Sequence, residues 1–509
     1  MWTSLRLSKS IVIDGVAVRP HTTKVNLLAV AVGGCGGFSF GYANSAMAGS
    51  FAQPTFIAKF LSGSNATNIT TALIGVFLGA GFIGSLLQAF TSQRWGRRPT
   101  AAGAALWLAI SGALQAGSVN TAMLIVSRAI CGISVGMALA NCPVYMSEVS
   151  PAHVRGMLTG GSGVTLTIAY VIASCLSLSF SYIEQSYAWR LQFVVLAAFG
   201  LFFFVAVLFI PESPRWLVEQ ERYDEAWAVL RKLHQSSKDS NDLWVYAEMR
   251  QIRAQIESER SQQTGFRYIA TNPSMRKRAL CSILVWLMAQ STGVIVISSF
   301  TPTLFGQLGY GTIMQFGLSI AWTVTSLLAG CCNAYLMERL GRIKLFIFGG
   351  SLCTACLIVE GVLQKYYLYD TTDIAGTKAA VAMYFIFVIG YGGSVECGAY
   401  AYSIEIWPTH LRSRGGTIAL STLFLTTCAY GTAATAAFES IGWKYYIVMA
   451  CICIACVSII PFYCPETKGL TLEEIGAKFG DHVEVTFDEA VEKAAISHNV
   501  PVVSQVEVA

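Results

Sequence analysis

Long apolar runs separated by short polar loops dominate the chain and set its architecture. Six runs, at roughly 25–48, 71–91, 99–118, 121–146, 158–180 and 190–210, precede a polar interval, and six more follow at roughly 278–300, 312–337, 345–364, 377–404, 415–437 and 442–463. Each is near or above the roughly 20 residues that span a bilayer as a helix. The pattern predicts an all-α, polytopic membrane protein with twelve transmembrane helices. In the interval, EQERYDEAWAVLRKLHQ and YAEMRQIRAQIESERSQQ set apolar residues three and four apart among charges, the mark of amphipathic surface helices. The expected division is a tail over 1–24, six spans over 25–210, a helical linker over 211–277, six spans over 278–463 and a second tail over 464–509. Residues 1–24 hold only short apolar patches and no small-residue cleavage site, so no secretory signal is expected. After Pro465 a short helix is expected in LTLEEIGAKFG, followed by disorder.

The two sets of six are copies of one another. PVYMSEVSPAHVRG (Pro143 to Gly156) returns as YSIEIWPTHLRSRG (Tyr402 to Gly415), with Glu148 and Glu405 three residues before a proline and Arg155 and Arg412 four after it. RWGRR at Arg94 is echoed by RLGRIK at Arg339, and PESPRW at Pro211 by PETKGL at Pro465. The offsets agree: 245 residues from Gly96 to Gly341, 257 from Glu148 to Glu405 and 254 from Glu212 to Glu466. Three markers in one order at nearly one spacing make an internal duplication. Because proline disfavours helical geometry in the residue before it, Pro151 and Pro408 place these charges at helix ends.

Composition agrees: 54% of the residues are hydrophobic and 12% charged, about half the charged share of a soluble domain. The net charge of +5 implies no nucleic-acid partner, since the basic residues sit in loops between spans. Those loops orient the chain. Arg94, Arg97, Arg98, Arg155, Arg339, Arg342, Lys344, Arg412 and Arg414 share one side, which is expected to be cytoplasmic together with both termini. The opposite loops carry little beyond Lys59, Arg190, Lys365 and Lys378, and the first of them holds two adjacent glycosylation sequons, at Asn65 and Asn68. Most of the fifteen cysteines lie in apolar runs, where Cys behaves as a small hydrophobe. The six histidines form no metal-ligand spacing within a span. Neither a catalytic constellation nor a cofactor site is expected.

The motifs together resemble the sugar porter family of the major facilitator superfamily, most closely its fungal members, over roughly residues 25 to 475. The matching residues are RxxxGxxxGxxxxxxPxYxxExxPxxxRG from Arg128, PESPRWL from Pro211, ERLGR from Glu338, EIWPTHLRSRG from Glu405 and PETKGLTLEEI from Pro465. The resemblance implies two pseudosymmetric six-helix halves, a substrate site between them near the bilayer midplane, and alternating access without chemistry on the solute. It also implies a cytoplasmic gate in which Glu148, Glu212, Glu338, Glu405 and Glu466 pair with Arg97, Arg98, Arg155, Arg342, Arg412 and Arg414, tying the halves together while the site faces outward. Gln93 replaces the aspartate of the first arginine motif, so a looser first half is expected.

Charges inside spans are costly and mark function. Arg128 lies in the fourth span. Its usual partner in proton-coupled relatives, an aspartate of the first span, is here Ala43 in FGYANSAMAG. Uniport is therefore expected rather than proton symport, unless Glu396 of the tenth span takes over the proton. Glu360, near the outer end of the ninth, is expected to reach the interface. The sugar contacts of the family are depleted: Gly163 replaces a glutamine, and the seventh span reads Ala289-Gln290-Ser291-Thr292-Gly293-Val294-Ile295. Ser299 and Phe300 replace paired aromatics, and Tyr400 replaces a tryptophan. Asn44, Arg128, Gln290, Glu396 and Tyr400 are the candidate substrate contacts, with Arg128 and Glu396 expected to neutralise one another across the halves. The expected function is movement of a small, uncharged, carbohydrate-like solute by a monomeric unit in a plasma membrane. A carrier of a less polar organic solute is the alternative. A transport-incompetent nutrient receptor is disfavoured by the short tail, 44 residues after Pro465.

Overall fold

The structure is a computed structural model that describes residues 11–13, 16–18, 23–150, 155–234, 243–260, 265–367, 374–408, 411–468, 470 and 472–480. The expected disorder after residue 480, and Pro151, His153 and His410, lie outside these residues. Before the first span, two strands, β1 (Ile11–Ile13) and β2 (Val16–Val18), pair antiparallel, an element that the apolar patches alone did not announce.

The first half comprises α1 (Lys24–Ala52), α2 (Ala66–Trp95), α3 (Arg97–Ala116), α4 (Thr121–Val149), α5 (Arg155–Ser181) and α6 (Arg190–Leu208). Between the halves stand α7 (Pro214–Glu219), α8 (Tyr223–His234) and α9 (Leu243–Arg260), which bury Trp216, Leu217, Leu230 and Val245 in a core of their own. The second half comprises α10 (Pro273–Ser291), α11 (Val294–Gln307), α12 (Thr312–Leu340), α13 (Arg342–Tyr367), α14 (Ile374–Tyr391), α15 (Cys397–Glu405), α16 (Arg412–Ser440) and α17 (Lys444–Tyr463), with the expected short tail helix at Leu472–Lys478. Among the described residues eleven segments are long and apolar enough to cross a membrane, with α10–α11 and α14–α15 counted as one each. The twelfth is α3, an alanine-rich helix packed against α4 and α6. All fifteen cysteines are free thiols.

Local chemistry sets the helix ends. Thr23, Asn120 and Asn272 each accept a backbone N–H of the first turn of α1, α4 and α10, and Pro273 fills the first position of α10. Two expected single spans are interrupted. Gly293, with φ +83°, separates α10 from α11, because that backbone conformation favours a residue without Cβ. Gly392–Glu396 forms a π-helical turn between α14 and α15. Such turns insert an extra residue and recur at functional sites.

The halves meet along α2–α16, α5–α12 and α1–α11. Near the sequons, Thr67 donates to the Glu439 carboxylate and the Thr71 and Thr435 hydroxyls bond one another. Further along, the Ser85 and Ser421 hydroxyls are 2.9 Å apart, and Phe40 meets Phe424 edge-on at 5.8 Å. Asn65 is the residue before α2 and Asn68 lies in its first turn; both are exposed.

Candidate functional site

Midway along the bundle, α1 and α5 of the first half face α11, α14 and α15 of the second. Asn44 donates its side-chain amide to the Tyr170 hydroxyl of α5 at 3.3 Å, and Ser298 of α11 faces Tyr170 across the cavity they share. Tyr170 and Ser298, with Ser45, Ser174, Ser177, Thr301, Ser319, Trp322 and Thr323, line a cavity of ≈ 20 Å³ between the halves. That is room for about one water. Glu396 ends the π turn beside Tyr170, Tyr391 and Tyr400, whose hydroxyls feel its charge. It is 9% exposed and its Oε2 has no hydrogen-bond partner. Tyr400 packs edge-on against Trp286 at 4.8 Å. Gln290, one turn from Trp286 on α10, is buried with Oε1 unpartnered. Four of the five expected contacts thus lie on elements around this region, and Gln290 and Glu396 each keep an unpartnered oxygen.

Arg128 departs from expectation. It forms no ion pair with Glu396. Its Nη1 donates to the Ala43 carbonyl at 3.1 Å and its guanidinium lies 4.0 Å from the Phe77 ring centroid. The backbone of the residue that replaces the aspartate has become its partner, and the ring face satisfies part of its charge. The expected neutral pair across the halves is therefore replaced by two separately housed ionisable groups. Glu360 departs as well. It is 2% exposed, away from the interface, and accepts from the Gln364 amide at 3.2 Å, which also donates to the hydroxyls of Tyr384 and Tyr446.

At the arginine-rich end the duplicated motifs build two matching lattices. In the first half, Arg97 Nη2 donates to Glu148 at 2.9 Å, Ser213 donates to the other Glu148 oxygen, and Tyr145 donates to the Pro211 carbonyl at 2.8 Å. In the second, Arg342 Nη2 binds Glu405 at 3.1 Å, Thr467 donates to Glu405 at 3.2 Å, and Tyr402 donates to the Pro465 carbonyl at 3.1 Å. Glu212 and Glu466 each accept backbone amides. Glu212 accepts the backbone N–H groups of Arg97 and Arg98, at 3.0 and 3.2 Å, and Glu466 those of Arg342 and Ile343, at 2.9 and 3.0 Å. The carboxylates cap the N-termini of α3 and α13, where unpaired amides and the helix dipole favour an anion. Burial pushes Glu212 above the ordinary carboxylate range, against the lowering effect of those amides. The Arg98 side chain ends α6 instead, donating to the carbonyls of Val207 and Leu208.

The lattice bonds described above each join residues of one half and its flanking segment. Glu219 of α7 reaches towards the other half. It stands 3.9 Å from Arg97 and acts electrostatically on Arg414 of α16, in the other half. Gln93 leaves Arg97 without the carboxylate that Glu338 gives Arg342 at 2.8 Å, and only its backbone carbonyl takes part, accepting from Trp216 Nε1 at 2.9 Å. The side chain of Arg155 lies outside the described residues. The reading by motif missed Tyr145, Tyr402, Ser213 and Thr467, although each sits at the same offset from its glutamate in both copies. It also missed Tyr170, Ser298 and Glu219, which no repeat marks.

Two six-helix halves around a polar cavity, with matched charge lattices at one end, define the major facilitator fold of multi-pass membrane transporters. The profile of the family "Sugar (and other) transporter" matches residues 28–479, and the chain belongs to that family; its members are transporters, not enzymes. The chain is 29% identical to the MFS-type transporter criB of Aspergillus cristatus over 453 residues, covering 89% of this chain and 92% of that one. It is 28% identical to the high-affinity glucose transporter 1 of Candida albicans, covering 88% and 84%, and 28% identical to the arabinose-proton symporter of Escherichia coli, covering 90% and 94%. Among solved structures it superposes on the proton:xylose symporter XylE bound to 6-bromo-6-deoxy-D-glucose with a TM-score of 0.77, at 21% identity over 90% of this chain and 100% of that one. At that identity the likeness is one of fold.

Proposed function

We propose that the protein moves a small, uncharged, carbohydrate-like solute across a membrane by alternating access, with Asn44, Gln290, Glu396 and Tyr400 among its contacts. The observation that carries this is the polar cavity to which both halves contribute, Ser45, Tyr170 and Ser174 from one and Ser298, Thr301 and Ser319 from the other, with Asn44 bonded to Tyr170 and Gln290 buried on the broken span. A sugar offers hydroxyls that donate and accept at once, and the unpartnered Gln290 and Glu396 oxygens accept what it donates. The lattices around Glu148 and Glu405 hold each half rigid, and the Glu219–Arg414 link parts when the arginine-rich end opens. That end is cytoplasmic in this reading, with both termini, and the sequons face outward at a plasma membrane. The tails, two six-helix units and linker over 211–277 follow the same division, in a monomeric unit.

Transport of a neutral solute is uniport. Arg128 is occupied by the Ala43 carbonyl, so the first span offers no group that changes protonation in the cycle. A second reading, a less polar organic solute, is favoured by Ala289 and Ile295, both buried on the broken span, and by Gly163, which faces Cys397 across the halves.

Uptake of a panel of labelled sugars, polyols and apolar metabolites into cells lacking their own carriers tests both. Saturable entry of a neutral sugar or polyol is expected, with KM raised about tenfold by Gln290→Ala, the loss of one or two buried hydrogen bonds. Entry of apolar solutes alone would favour the second reading. No entry with the protein in the membrane would contradict both.

A further inference from the structure

Glu396 holds a property that carrying a neutral sugar does not use. Its π turn is pinned from behind, because Ser394 donates to the Gly390 carbonyl and Gly349 of α13 packs so closely that a Cβ there would stand 1.8 Å from Ser394 Oγ. In front, the titratable groups that face it are the hydroxyls of Tyr170, Tyr391 and Tyr400 and the thiol of Cys397, all neutral. The helices α12 and α13 pack on the turn, and among the described residues they bring no charged side chain to bear on it. Arg128 is engaged elsewhere. A bare carboxylate shut into such surroundings costs far more than a paired or neutral one. Closing the halves over Glu396 therefore favours a carboxylate neutralised by one positive charge, and among the described residues none supplies it.

We propose that this charge is exchangeable: the site carries a hydroxylated solute bearing one protonated amine in one direction and a proton in the other, with Glu396 as their common seat. The inference rests on the alternating-access reading above and adds a second substrate class to it. On the side where amine is abundant, the Glu396 acid loses its proton to water and the carboxylate receives R–NH3+. The loaded site closes without a net charge and opens on the far side. There the ammonium leaves, the carboxylate takes one proton from water, and the neutral site returns. One amine moves for one proton, no net charge crosses and no covalent bond is made. The rings of Tyr170, Tyr400 and Trp286 suit an ammonium, whose charge is attracted to an aromatic face. A neutral sugar passes with the acid form retained, which is uniport.

The test uses purified full chain in proteoliposomes and two labelled probes that differ by one group, D-glucose and D-glucosamine. Protein-free vesicles correct for entry of the free base. With the lumen more acidic than the medium, glucosamine is expected to accumulate about tenfold for each unit of pH difference, the ratio for one-for-one exchange, while glucose only equilibrates. Accumulation should survive in Glu396→Asp and vanish in Glu396→Gln, with size-exclusion elution and thermal unfolding confirming that both variants are folded. Glucose exchange with no pH-driven accumulation of glucosamine in the wild type would overturn the proposal and leave the transport reading standing. Equal accumulation in Glu396→Gln would overturn Glu396 as the seat. Exchange of neither probe would count against the transport reading itself.

Discussion

Arg97→Gln should be among the most damaging single changes at the arginine-rich end. Arg97 and Glu148 have side chains only 6% and 9% exposed, and Glu148 stands 2.9 Å from that guanidinium against 3.9 Å for the half-exposed Glu219. Removing the arginine strands a buried carboxylate, a loss of about 3–5 kcal/mol. Arg342→Gln should cost less, about 1.5–3 kcal/mol, because its partners Glu405 and Glu338 remain 28% and 59% exposed and keep water when left alone. Arg97→Lys should not restore the loss, since an ammonium lacks the planar fork that reaches Glu148 and the Ser92 carbonyl together. Thermal unfolding in detergent reads the order: wild type above Arg342→Gln above Arg97→Gln. Arg97→Gln with Glu148→Gln should recover part of the difference. Equal midpoints for the two arginine variants would contradict the asymmetry that Gln93 introduces.

Gly96→Ala and Gly341→Ala should be comparably harmful for a different reason. Both glycines hold nearly the same backbone, φ +103° and ψ 170° at Gly96, φ +98° and ψ 160° at Gly341. Residues with a Cβ adopt that region at a cost of about 1–3 kcal/mol. A Cβ would also stand 2.4 Å from Glu212 Oε2 in one half and 2.7 Å from Glu466 Oε2 in the other. Either carboxylate would have to leave the amides it caps, losing hydrogen bonds worth about 1.5–3 kcal/mol. Each substitution should lower the unfolding midpoint and the initial transport rate, and the pair should be nearly additive because the sites share no partner. Alanine tolerated at both positions would mean that the caps do not hold the helix starts in place.

The duplication made the two lattices legible before any coordinates. Its offsets paired Gly96 with Gly341, Glu148 with Glu405 and Glu212 with Glu466, and all three pairs are structurally equivalent. Spacing alone did not say what each carboxylate binds. Motif order suggested arginine side chains for Glu212 and Glu466, yet a loop that brings a carboxylate to a helix start finds free amides there first. Glu219 was invisible because its role depends on how α7 lies against both halves. The expected Arg128–Glu396 pair failed on depth. Arg128 stands seven residues into α4, near the sequon end, while Glu396 stands nine before the arginine-rich end of α15. Hydrophobic runs gave twelve spans but not the break at Gly293 or the π turn at Gly392, since neither changes the apolar pattern of its span.

Counterflow in proteoliposomes tests most directly whether this is a carrier with one alternately exposed site. Vesicles loaded with a high concentration of an unlabelled sugar from the uptake panel are diluted into a trace of the labelled form. A carrier predicts a transient overshoot, in which label rises above its outside level and then falls as the unlabelled pool runs down. A monotonic rise to equilibrium would mean an open pore. No entry of any panel solute, by protein that elutes and unfolds as a folded monomer, would contradict transport altogether.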